Sequence, residues 1–132
     1  PAAMSLTGSH IFGVVRHAER ADAAFAVALN GAPRWTTTSD AQTWPFDPPI
    51  TDDGKHLAGE AGQKIQAFAE ECGTKVDVIV CSPYARCIQT ASAICSKLRP
   101  ACRILIDHSF GEIYGPAIMG PVEPHFVVRP IE

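Results

Sequence analysis

VDVIVCSPYARCIQTASAICSKLRPACRILID, residues 76–107, decides the fold class of this chain. Val76 to Cys81 is an apolar, β-branched run of strand length, and Arg103 to Asp107 is another. Between them Cys87, Ala91, Ile94 and Leu98 recur at helical spacing. Ser82-Pro83 reads as an N-cap followed by proline at the first helical position, and Pro100 ends the helical segment. Strand, helix and strand in direct succession predict a right-handed βαβ crossover with parallel pairing.

The same alternation extends towards the amino terminus. Thr51 is an N-cap with Asp52 and Asp53 in the first turn, and Leu57, Ala61, Ile65 and Phe68 form the expected buried stripe of a helix running to Gly73. Ile11-Phe12-Gly13-Val14-Val15 reads as a further strand, buried at the centre of the sheet. Ala21 to Leu29 is an alanine-rich helical segment ending at Asn30-Gly31. From Ala32 to Pro49, four prolines and both tryptophans predict an ordered loop over the sheet rim. The expected architecture is α/β: a mainly parallel sheet covered by helices on both faces, a three-layer αβα arrangement.

Composition narrows the function. The 132 residues fit one domain, and 46% hydrophobic with 19% charged residues is the balance of a globular protein. A net charge of -3 argues against a general nucleic-acid or membrane binder, which needs a broad basic surface. Any anion site must therefore be local. Five cysteines without a C-x-x-C pair read as free thiols in a reducing compartment. No apolar run reaches about 18 residues, and no basic stretch precedes an apolar one at the amino end, so the expected location is the cytoplasm. Pro1 in place of methionine and the apolar run just before Glu132 suggest a truncated domain spanning 1–132.

Arg16-His17-Ala18-Glu19-Arg20 follows the first apolar run and puts an imidazole between two guanidinium groups. Open parallel sheets bind ligands at the carboxyl ends of their strands, and paired arginines clamp phosphoryl oxygens. Two arginines facing inward with Glu19 as their one evident acidic mate would be costly to desolvate unless an anion paired with them. Arg86 lies in the first turn of its helix, where the dipole favours a negative partner, and a bound phosphate would supply it. Cys81 is a poor candidate for a cysteine phosphatase nucleophile, because Cys81 to Arg86 spans C-x4-R where those enzymes have C-x5-R.

V-V-R-H-A-E-R-A-D at 14–22, D-P-P-I-T-D-D-G-K at 47–55 and C-S-P-Y-A-R-C-I-Q-T-A at 81–91 together resemble the histidine phosphatase superfamily, the phosphoglycerate mutase-like fold. The R-H-x-E-R form and D-P-P-I-T look most similar to the phosphatase domains of the suppressor of T-cell receptor signalling proteins and of ecdysteroid-phosphate phosphatase. The resemblance runs from about Ile11 to Gly115. It implies that this chain is the N-terminal part of the full fold. It also implies that His17 is phosphorylated during turnover and that Arg16, Arg20 and Arg86 hold the phosphate. Glu112, just beyond the last strand, resembles the family's general acid.

The implied chemistry needs no metal and no cofactor, because arginines supply the positive charge. Transfer to water and transfer to another hydroxyl use the same phosphohistidine, so phosphatase and mutase both remain open. The implied partner is a phosphorylated substrate, small molecule or phosphoprotein. The family's second pocket histidine follows a later strand; His125 precedes its apolar run, and His10, His56 and His108 match no motif. Uncovered strand edges would favour a homo-oligomer or a complementing segment. The rival reading is a catalytically impaired module that binds a phosphorylated ligand without turning it over.

Overall fold

The computed structural model describes residues 11–23, 35–111 and 129. In order, the chain forms a 3-10 turn at Trp35–Thr37, helix α1 at Ser39–Thr43, helix α2 at Asp52–Glu71 and strand β1 at Val78–Cys81. Helix α3 at Ala85–Cys95, strand β2 at Arg103–Ile106 and a 3-10 turn at His108–Phe110 follow. Strands β1 and β2 pair in parallel, from Val78 opposite Arg103 to Cys81 opposite Ile106, with α3 as their crossover. The α/β class and the parallel pairing expected of residues 76–107 are thus observed. Among the described residues, no helix is long and apolar enough to cross a membrane.

Helix α3 packs on both strands and on α2. Ile79, Cys81 and Ile104 are half-buried, whereas Val78, Val80 and Leu105 are exposed, so one face of the sheet is covered and the other is open among the described residues. The core is Ala85, Ile88, Ala91, Ile94 and Leu98 of α3 and its C-terminal turn, closed by the small residues of α2 and by Ile50. Helix α3 starts at Ala85 with Tyr84 as N-cap, so the Ser82-Pro83 start is two residues early. The Ser82 hydroxyl turns back to accept the Tyr84 N–H instead.

Helix α2 begins as its sequence requires: Thr51 Oγ1 accepts the Gly54 N–H at 2.9 Å. It ends at Cys72, and Gly73 takes the left-handed conformation at φ 64° that terminates helices. Its buried stripe is not the expected one. Gly54, Ala58, Gly59, Gly62 and Ala69 are buried, while Leu57 and Phe68 are 59% and 56% exposed. The reason is the closeness of α3, since a Cβ on Gly62 would lie 2.7 Å from the Ile94 carbonyl oxygen. Backbones that near admit the small face of α2, not its bulky one.

The run Ile11 to Val15 also departs from expectation. Among the described residues it forms no strand, and Phe12 and Val14 are each 89% exposed. Apolar β-branched composition favours extended backbone but does not provide a partner edge, and β1 and β2 pair with each other. Val15 instead lies over the α2–α3 junction, in a cavity of about 140 Å³ shared with Ala18, Leu57, Ala61 and Ile94. Residues 21–23 are a turn in place of a helix start, closed by Ala23 N–H to the Arg20 carbonyl at 3.0 Å. The rest of the segment to Leu29 lies outside the described residues. The 35–49 part of the expected loop holds the first 3-10 turn and α1, where Thr38 Oγ1 caps the Ala41 N–H.

Candidate functional site

The segment 17–21 is fastened between α2 and α3. Ala18 N–H donates to Thr90 Oγ1 at 3.0 Å, and the Thr90 hydroxyl donates to the Arg86 carbonyl at 2.7 Å. Thr51 N–H donates to the Glu19 carbonyl and Ala21 N–H to the Pro49 carbonyl, making an antiparallel bridge between Arg20 and Ile50. Gln89 Oε1 accepts the Ile50 N–H at 2.9 Å. Neighbouring residues Gln89 and Thr90 of one helix therefore hold both sides of the bridge.

His17 is half-buried, with Nδ1 2.8 Å from the Ala18 carbonyl oxygen. A carbonyl only accepts, so Nδ1 carries the proton and, in the neutral ring, Nε2 keeps its lone pair. That is the nitrogen available for attack on an electrophile.

Arg86 occupies the second position of α3 and is 2% exposed, which excludes an arginine pointing into water. Its guanidinium carbon lies 4.2 Å above the Tyr84 ring, and its Nη1 is 3.7 Å from Asp47 Oδ1. The same Asp47 oxygen accepts the Ala85 N–H at 2.8 Å. The first turn of α3 contains no acidic residue, and the carboxylate facing Arg86 is that of Asp47, from the loop between α1 and α2. Burial pushes the Asp47 carboxyl above its ordinary value, against the Ala85 hydrogen bond and the charges of Arg86 and Arg129.

Arg129 extends this network by donating to the Asp47 carbonyl at 3.0 Å and to the Asp40 carboxylate, which also accepts the Trp35 indole N–H. Burial alone would raise the Asp40 carboxyl, but the bonds from Trp35 and Arg129 hold it below its ordinary value.

The arginines beside His17 are placed differently from expectation. Arg16 is exposed and borders the cavity at the α2–α3 junction. Arg20 is half-buried and grips Asp22 through Nε and Nη2 together, with 41% of its side chain exposed. Two residues on, the Asp22 carboxylate satisfies the fork geometry that a phosphate would otherwise be needed for. The Glu19 carboxylate accepts the Thr51 hydroxyl at 3.3 Å.

The structure thus ties His17 to Arg86 through Ala18 and Thr90, and Arg16 borders a cavity that Ala18 and Thr90 also line. Glu112, His125 and His10 lie outside the described residues. His56 is an exposed partner of Glu60 on α2. Burial raises the Cys81 thiol above its ordinary value, with the neighbouring Cys87 adding to the effect, as befits a structural thiol. Asp47, Gln89 and Thr90 were missed as supporting residues, although all lie within the sequence blocks that carried the resemblance.

Residues 14–123 match the family model of the histidine phosphatase superfamily (branch 1). The chain belongs to that superfamily. No curated protein and no solved structure matches it. Membership assigns histidine phosphatase chemistry, of the phosphatase or mutase type, to a chain whose β1–α3 junction presents a buried arginine beside an oriented histidine segment.

Proposed function

We propose that this histidine phosphatase domain hydrolyses phosphomonoesters through a phosphohistidine on His17, with Arg16, Arg20 and Arg86 binding the phosphate and Glu112 acting as general acid. The observation that carries the reading is the Nδ1 hydrogen bond to the Ala18 carbonyl, which leaves Nε2 as the nucleophile. Nε2 attacks phosphorus in line as the ester P–O bond breaks, and the departing oxygen takes the Glu112 proton. Water then adds to phosphorus, the P–N bond breaks, and the water proton returns to Glu112. The arginines balance charge on the equatorial oxygens, so the reaction requires no metal ion.

Within the superfamily the motifs R-H-x-E-R and D-P-P-I-T support a place beside the suppressor of T-cell receptor signalling and ecdysteroid-phosphate phosphatases. The free state of all five cysteines supports a reducing, cytoplasmic setting. The first test is turnover of p-nitrophenyl phosphate. Phosphate release should persist in EDTA and fall to background in His17→Ala. Release that survives the substitution, or that stops in EDTA, contradicts the proposal, and no release from the unsubstituted protein leaves ligand binding without turnover.

A further inference from the structure

We propose that Cys95 and Cys102 form a reversible disulfide, making the connection between α3 and β2 a site of thiol oxidation. Cys95 is the last residue of α3 and Cys102 directly precedes β2. Their sulfurs are 2.8 Å apart. An S–S bond is about 2.05 Å long, so joining them needs a movement of under about 1 Å. Both residues are half-buried, which leaves them open to a small disulfide reagent while shielding them from larger ones.

The contact also orders the reaction. The Cys102 thiol donates to Cys95 Sγ, and the Cys95 thiol donates to the Cys102 carbonyl at 3.2 Å. A Cys95 thiolate would therefore be met by an S–H donor. Burial, reinforced by the Cys95 contact, pushes the Cys102 thiol up to about 11, so Cys102 keeps its proton in the first step.

Cys95 loses its proton to solvent and attacks one sulfur of a low-molecular-weight disulfide, releasing one thiol as a mixed disulfide forms. Cys102 then loses its proton and attacks the Cys95 sulfur, expelling the second thiol. The two cysteines are oxidised by two electrons, and the reagent disulfide is reduced to two thiols carrying the two protons. The bond pins the C-terminal end of α3 to the start of β2 on the helix that carries Arg86 and Thr90.

Treating the purified protein with oxidised glutathione, alkylating the remaining thiols and digesting with trypsin tests this. Cleavage after Lys97 separates Cys95 from Cys102, while the Arg99–Pro100 bond resists trypsin. The expected result is a disulfide-linked pair of peptides, residues 87–97 joined to 98–103, with the free-thiol count lowered by two and restored by dithiothreitol. The link should persist in Cys87→Ser, disappear in Cys95→Ser, and raise the thermal midpoint of the oxidised protein over the reduced one. Alkylation of every thiol after oxidation, or a link that uses Cys87 in place of Cys95, overturns the proposal. Fragmentation of the linked peptides from the unsubstituted protein distinguishes the two cysteines even if a variant fails to fold.

Discussion

Arg86 and Arg20 are both cations of one proposed phosphate cradle, yet the molecule holds them in opposite ways. Arg86 is 2% exposed and fixed by tertiary structure: Asp47 from the α1–α2 loop, the Tyr84 ring and the first turn of α3. Arg20 has 41% of its side chain exposed and grips Asp22, two residues away, through a local pair. A buried guanidinium with a fixed partner cannot be re-aimed without uncovering a charge, whereas an exposed ion pair is worth little and exchanges readily. The α3 side of the cradle is therefore preformed, and the 16–20 side is adjustable. Binding would then consist of phosphate replacing the Asp22 carboxylate on Arg20 against a fixed Arg86.

Removing Arg86 should have the largest effect. Arg86→Ala removes the guanidinium facing the buried Asp47 carboxylate and leaves Arg129 as its remaining cation, which is expected to cost about 3–5 kcal/mol of stability in urea unfolding. Turnover of p-nitrophenyl phosphate should fall by about 100- to 1,000-fold. Arg86→Lys should recover part of the stability and less of the rate, because lysine keeps the charge and loses the fork. Near-normal turnover in a folded Arg86→Ala protein would remove Arg86 from the cradle and break the comparison.

Thr90→Val tests the tie between the two sides. It keeps shape but removes the hydroxyl that accepts the Ala18 N–H and donates to the Arg86 carbonyl. A loss of about 1–3 kcal/mol is expected from the orphaned Ala18 donor. If the tie also positions His17, kcat should drop while inhibition by inorganic phosphate changes little; equal weakening of both would make Thr90 a purely structural residue.

The smallest and most discriminating change is Asp22→Asn. Stability should move by about 1 kcal/mol, as for a local pair that solvent still reaches. Inorganic phosphate should inhibit more tightly, because the Asp22 carboxylate no longer competes for Arg20. Unchanged or weaker inhibition would show that the Arg20–Asp22 pair serves the fold and not the ligand.

The sequence made the βαβ unit legible because its signals are local. The β-branched runs at 76–81 and 103–107, the helical period between them and the Thr51 cap each act over a few residues. Ile11 to Val15 carries the same β signal and has no strand partner among the described residues, and a partner is something no local pattern can supply. The buried stripe on α2 was misassigned for a related reason. Leu57 and Phe68 have the hydrophobic period, but the closeness of α3 selects Gly62 and that of the Glu19 backbone selects Gly54.

In the candidate site, the need of Arg86 for a negative partner was legible from its helix position. Its partner was not, since Asp47 lies 39 residues earlier, as the sequence numbers show. Asp22 was legible in principle, lying two residues from Arg20 at a spacing that a turn closes. Gln89 and Thr90 lay in a recognised motif, yet their work of holding the Ile50 and Ala18 N–H groups emerges only when the 17–21 and 49–51 segments meet α3.

The central claim is covalent phosphorylation of His17, and rapid quenching with a phosphate-labelled monoester tests it most directly. The account predicts label on the peptide bearing His17, lost in acid and retained in alkali as expected for a P–N bond, and absent from His17→Ala. Label on any other residue, or full turnover with no labelled protein at any quench time, would contradict it.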